Sequence, residues 1–165
     1  MSTRALYTFK DEHNSWNVYK HHDGYPRGAA EIIQDAIDYF AWELPRFEAD
    51  EFACAFIAAA KAQALIALAA KEKNHTDIAD TLPGGRYRKF TGGGVRLMPQ
   101  GNPRTVAVHN CPDIEYRYEI SFKGNKLLIK ALRGSWYNHE VKESALFKGT
   151  FEKFKTEAVA LDSTP

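Results

Sequence analysis

The chain has 165 residues, of which 44% are hydrophobic, 13% aromatic and 26% charged, and its formal net charge is +1. A single domain of this length buries roughly 70% of its unfolded surface, so no disulfide framework or structural metal is needed for a core, and the aromatic content argues against disorder. The near-balanced charge excludes a field that would by itself recruit nucleic acid or an anionic membrane; either partner needs a local patch.

Taken in chain order, Arg4 to Lys10 sets Leu6 and Thr8 against Ala5, Tyr7 and Phe9, and Trp16 to Lys20 resumes a β-prone pattern after the polar break Asp11-Glu12-His13-Asn14-Ser15. These two segments predict a hairpin. The stretch His21-His22-Asp23-Gly24-Tyr25-Pro26-Arg27-Gly28 holds an Asp-Gly pair, a proline and a second glycine, which favour a turn. From Ala29, the residues Ile32, Ile33, Ala36, Ile37, Phe40 and Ala41 recur at helical spacing, and Pro45 ends that helix. A second helix is expected from Glu48-Ala49-Asp50, whose carboxylates suit the positive end of a helix dipole, to Lys71 or Lys73. Lys61 and Gln63 interrupt its apolar run and alanine inserts weakly into lipid, so no membrane span is expected there.

Between Asn74 and Gly94 the pattern gives way to a long connection. Strands are then expected at Val95 to Met98, Thr105 to Val108, Ile114 to Phe122 and Lys126 to Leu132, the last two joined through Lys123-Gly124-Asn125. Leu146, Phe147, Phe151 and Phe154 suggest a short helix, and Ala160 to Pro165 a disordered tail. The expected fold is therefore α+β: an N-terminal β-hairpin, two packed helices, a largely antiparallel sheet and a short C-terminal helix, in one domain over 1–159. Cys54 and Cys111 do not form a framework and read as free thiols of a reducing compartment, and the first residues contain no apolar signal core. Both point to the cytoplasm.

The densest chemistry lies in Tyr19-Lys20-His21-His22-Asp23-Gly24-Tyr25-Pro26. An imidazole with a carboxylate makes an acid/base pair, here His21 and Asp23, and a helix N-terminus after the turn can receive an anion. His21, His22, Asp23 and Tyr25 are thus the candidate ligand-binding residues. The competing account is structural: Asp23 caps the turn, Gly24 takes a positive φ, Tyr25 and Pro26 pack, and the histidines are solvated.

The pattern Tyr19-x-His21-x-Asp23-Gly24-Tyr25-Pro26, followed by a helix, resembles a motif of small bacterial phage and prophage proteins, with His22 where that motif has tryptophan. The likeness covers about the first third of the chain, with a weaker echo in Gly92-Gly93-Gly94-Val95-Arg96-Leu97 and Asp113-Ile114-Glu115-Tyr116. It implies a mobile-element source and a bacterial cytoplasm, and carries over no reaction and no catalytic residue.

Other candidates are weaker. His109-Asn110-Cys111-Pro112-Asp113 sets a thiol near an imidazole, but cysteine nucleophiles and their histidines usually meet from distant parts of a chain. A zinc site from His21, His109, Cys111 and His139 lacks paired ligand spacing, so no metal or cofactor is expected. Gly92-Gly93-Gly94 leads into a strand and lacks the lysine and hydroxyl of a phosphate loop. Arg86-Tyr87-Arg88-Lys89-Phe90 mixes cations and aromatics in the way that grips a phosphate backbone and stacks a base, with Arg96 and Arg104 as possible extensions, although the same residues suit a charged strand edge. The resulting expectation is a non-enzymatic interaction protein, an inhibitor or modulator of a host protein or protein–nucleic acid machine. The alternative is a small nucleotide-like-ligand-binding domain or hydrolase with its site at the His21–Tyr25 turn.

Overall fold

In the computed structural model, which describes residues 2–71, 94–137 and 140–163, β1 (Ala5–Lys10) and β2 (Ser15–Lys20) form the expected hairpin. Asp11 organises its turn: one carboxylate oxygen accepts the N–H groups of His13 and Asn14 at 2.7 Å each, and the other accepts the N–H of Ala49 at 2.8 Å. Burial would raise the Asp11 pKa, but these three backbone donors outweigh it and hold the group below its usual value. The polar break thus pins the hairpin to the start of the second helix.

Helix α1 (Pro26–Tyr39) starts ahead of its apolar repeat because Pro26 occupies the first turn, where its missing N–H costs nothing. It ends at Tyr39, well before Pro45. Helix α2 (Ala49–Lys71) carries Asp50 and Glu51 in its first turn, as expected. After β3 (Val95–Leu97) comes the first departure from the sequence reading: Thr105 to Val108 belongs to helix α3 (Pro103–Asn110), not to a strand. Asn102 accepts the N–H groups of Arg104 at 3.0 Å and Thr105 at 3.1 Å, and Pro103 supplies the helical φ. Cap chemistry here overrides the β preference of Val106 and Val108.

Strands β4 (Tyr116–Lys123) and β5 (Lys126–Ser135) form the second hairpin, turned by Gly124 and Asn125 at φ +60° and +59°. The C-terminal segment differs again. Leu146 and Phe147 lie in a strand, β6 (Lys142–Thr150), and the helix α4 (Phe151–Asp162) begins only at Phe151, with Thr150 as its cap. The expected disordered tail from Ala160 is corrected for residues 160–162, which are helical, and the Asp162 carboxylate accepts the Arg27 N–H at 3.0 Å; residues 164–165 lie outside the described residues.

Among the described residues six strands make one sheet in the order β3-β2-β1-β4-β5-β6. Only the β1–β4 pairing is parallel, so the α+β assignment and the mainly antiparallel sheet both hold. Alternation along β1 decides the layers. Tyr7 and Phe9, with Tyr118 and Ile120 of β4, face α1, α2 and α4 in the main core with Phe52, Phe56 and Phe154. Leu6 and Tyr19 face the other way and, with Val106, Ala107, Cys111, Ile114 and Trp136, form a second small core around α3. Beyond α3 that face is polar: Thr8 donates to Asn17 at 2.7 Å, and Arg117 lies between Glu119 and Glu143. No helix among the described residues is long and apolar enough to cross a membrane.

Candidate functional site

The turn between β2 and α1 is built by its glycines. Asp23 adopts φ +55°, and the Gly24 N–H donates to the Thr3 carbonyl at 2.9 Å. A Cβ on Gly24 would lie 2.7 Å from that of Ala5, and a Cβ on Gly28 would lie 2.2 Å from the Asp23 carbonyl oxygen. The buried Tyr118 hydroxyl donates to the Gly24 carbonyl at 2.8 Å, and the Lys20 amine donates to the His22 carbonyl. Lys20, not singled out by the sequence reading, is buried with its amine; that burial lowers its pKa while the Asp23 charge opposes the shift. Tyr25 is half-buried against the core, and the Arg27 guanidinium lies 5.7 Å from its ring centre. Much of the conspicuous motif is therefore spent on a tight backbone crossing.

The sequence candidates do not pair as expected. No hydrogen bond joins His21 to Asp23. The His21 Nδ1 instead lies 2.8 Å from the Tyr19 hydroxyl, which reaches Asp113 at 3.5 Å. Asp113 pairs with Arg4 at 3.3 Å, and the Arg96 guanidinium lies 4.7 Å from the Tyr19 ring centre. The two sequence clusters around His21 and Cys111 thus meet in space through Tyr19, across β2, the start of β1 and the α3–β4 connection. His22 is exposed and packs edge-on against the His21 ring at 4.7 Å. Burial, then His22 and Arg4, hold the His21 pKa below its usual value against the pull of Asp113. Burial, then the Asp113 charge, raises that of Tyr19. The Tyr19–His21 contact, with Asp113 and Arg4, ties three chain segments together.

The anion site expected at the α1 N-terminus is taken internally, since Asp162 occupies the Arg27 N–H. The weak case for a Cys111 nucleophile gains nothing: the residue is buried in the second core and burial pushes its thiol up to about 12. Cys54 is exposed. A thiol reagent at pH 7.5 is expected to label Cys54 alone in the native protein and both cysteines after denaturation; equal native rates at the two would place Cys111 outside the core. Among the described residues no group of three His, Cys, Asp or Glu side chains could hold a metal, and His139 lies outside them. Arg86, Tyr87, Arg88, Lys89 and Phe90 also lie outside the described residues, while Arg96 and Arg104 are both exposed.

A second surface was not anticipated. At the end of α1 and in the connection to α2, Tyr39, Phe40 and Trp42 are 75%, 43% and 39% exposed. The Trp42 N–H donates to Glu51 at 3.0 Å, and the Arg46 guanidinium stacks 3.4 Å from the Trp42 ring centre. Leu44 of the same connection lines a cleft of about 260 Å³ with Ile37, Leu127 and Phe151. Of these three aromatics only Phe40 was read as part of a helical face, and Tyr39 and Trp42 carried no signal of their own.

No family model, curated protein or solved structure matches the chain.

Proposed function

We propose that this chain is a non-enzymatic interaction protein that docks a partner protein on the connection between α1 and α2. The observation that carries the reading is the exposure of Tyr39, Phe40 and Trp42 within one short stretch of chain. Tryptophan, tyrosine and arginine dominate binding hot spots, and a stacked Arg46 fixes the indole before contact, which lowers the ordering cost of association. The His21 Nδ1 lies on the Tyr19 hydroxyl rather than on Asp23, which favours binding over the hydrolase alternative. The likeness of the Tyr19–Pro26 motif to phage and prophage proteins suggests a bacterial host protein, or a host protein–nucleic acid machine, as the partner, with this chain as its inhibitor or modulator.

The test is capture from a nuclease-treated bacterial lysate with tagged wild-type chain and with the Tyr39→Ala/Trp42→Ala variant. A partner held stoichiometrically by the wild type should bind the variant at least about thirtyfold more weakly, the effect of losing a hot spot, while the melting temperature stays within a few degrees. Equal retention by both chains, or a partner lost on nuclease treatment alone, would overturn the reading.

A further inference from the structure

We propose that the polar end of the sheet face that carries α3 binds a small phosphate-bearing ligand, a site separate from the aromatic docking surface. A groove of about 600 Å³ lies there, lined by Lys10, Glu119, Ser121, Leu128, Lys130 and Lys148 among others. That volume is in the range of small-molecule sites.

The charges of the groove do not balance. Lys130 of β5 stands directly opposite Glu119 on β4 and Lys148 on β6. Glu119 is already committed, to Arg117 at 2.7 Å and Lys10 at 3.3 Å. Glu143, the other carboxylate on this part of the face, takes Arg117 at 3.2 Å and the Trp136 indole N–H at 3.1 Å. Lys130 and Lys148 are left facing each other with no ion-pair partner among the described residues. Like charges directly opposite on neighbouring strands destabilise a sheet, so an unliganded role gives this arrangement no return. Lys10, Arg117, Lys130 and Lys148 against Glu119 and Glu143 leave an excess of two positive charges, which matches a phosphomonoester near its dianionic form. Ser121 adds a hydroxyl donor, and Leu128 gives the body of the ligand an apolar floor. Among the described residues no aromatic ring lines the groove, so they offer a base no stacking platform, which favours a compact phosphate compound over single-stranded nucleic acid.

The test is an amide NMR titration of the whole chain with inorganic phosphate, and with chloride at matched ionic strength. Saturable shifts at Glu119, Ser121, Leu128 to Lys130 and Lys148–Gly149 are expected with phosphate, and Lys130→Gln/Lys148→Gln should weaken them by at least about tenfold. Lys148→Glu supplies the control for folding: it turns a like-charged pair into an opposite one, so it should raise the melting temperature while abolishing the phosphate shifts. Shifts that fail to saturate, that match those with chloride, that fall elsewhere on the chain or that survive both substitutions would overturn the proposal. A short oligothymidylate that moves the same amides and saturates far below phosphate would overturn it too, by assigning the face to nucleic acid.

Discussion

Arg117→Ala is expected to cost about 3–5 kcal/mol of folding stability, the range for removing one partner of a buried charge cluster. The Arg117 side chain is only 3% exposed, and it satisfies Glu119 at 2.7 Å and Glu143 at 3.2 Å. Its loss leaves Glu119 with Lys10 alone and Glu143 with only the Trp136 indole donor. Arg117→Lys should recover part of the loss, because an ammonium keeps the charge but cannot span both carboxylates as the guanidinium fork does. Urea unfolding of the three proteins checks the order; a cost below about 1 kcal/mol would put the cluster in the class of solvated surface pairs.

The acid side of the same experiment has a definite sign. Burial raises the Glu119 pKa, but the Arg117 hydrogen bond, then the charges of Lys10 and Arg117, overcome it and leave the group below its ordinary value. A depressed carboxylate stabilises the fold above its unfolded pKa of about 4.3, and this contribution disappears as pH falls through the folded value. Without Arg117 the burial effect gains and the Glu119 pKa moves up. The stability gap between wild type and Arg117→Ala should therefore be widest near pH 7 and narrow as pH falls through the carboxylate range. A gap that stays constant from pH 7 to well below pH 4 would show that Arg117 acts through packing alone.

What the sequence made legible follows the range over which each signal acts. The alternation along β1 is a local period of two, and it assigned Tyr7 and Phe9 to one face and Leu6 and Thr8 to the other. The Lys123–Lys126 hairpin is likewise local. Thr105 to Val108 misled because its β-branched valines speak more loudly than a two-residue cap, Asn102-Pro103. Strand β6 was hidden because a bulge between Ala131 and Leu132 shifts its register, leaving Phe147 as its one buried residue. The candidate site was legible only as two clusters. The bond that unites them joins Tyr19 to Asp113 across 94 positions, and no local pattern encodes it. The facing lysines of the groove depend in the same way on register between strands, which residue spacing within one strand cannot supply.

The glycines of the motif permit a test in which local propensity and tertiary packing predict opposite signs. Gly28 sits in the first turn of α1, and in an exposed helix Gly→Ala would stabilise by about 1 kcal/mol. Here the new methyl would stand 2.2 Å from the Asp23 carbonyl oxygen, a backbone atom that cannot rotate aside as a flexible side chain does. The turn must open, and it is the turn that holds Gly24 against Thr3 and offers its carbonyl to Tyr118. Overpacking, together with a buried Tyr118 hydroxyl left without an acceptor, puts the expected loss for Gly28→Ala at about 3 kcal/mol or more. The mechanism also requires coupling. Tyr118→Phe should cost about 1–3 kcal/mol in the wild type and much less in the Gly28→Ala background, where the bond is already broken. Additive losses in this cycle would mean that the turn absorbs the methyl group without releasing Tyr118, and a stabilised Gly28→Ala protein would mean that the close approach of Asp23 to the helix is not what the glycine serves.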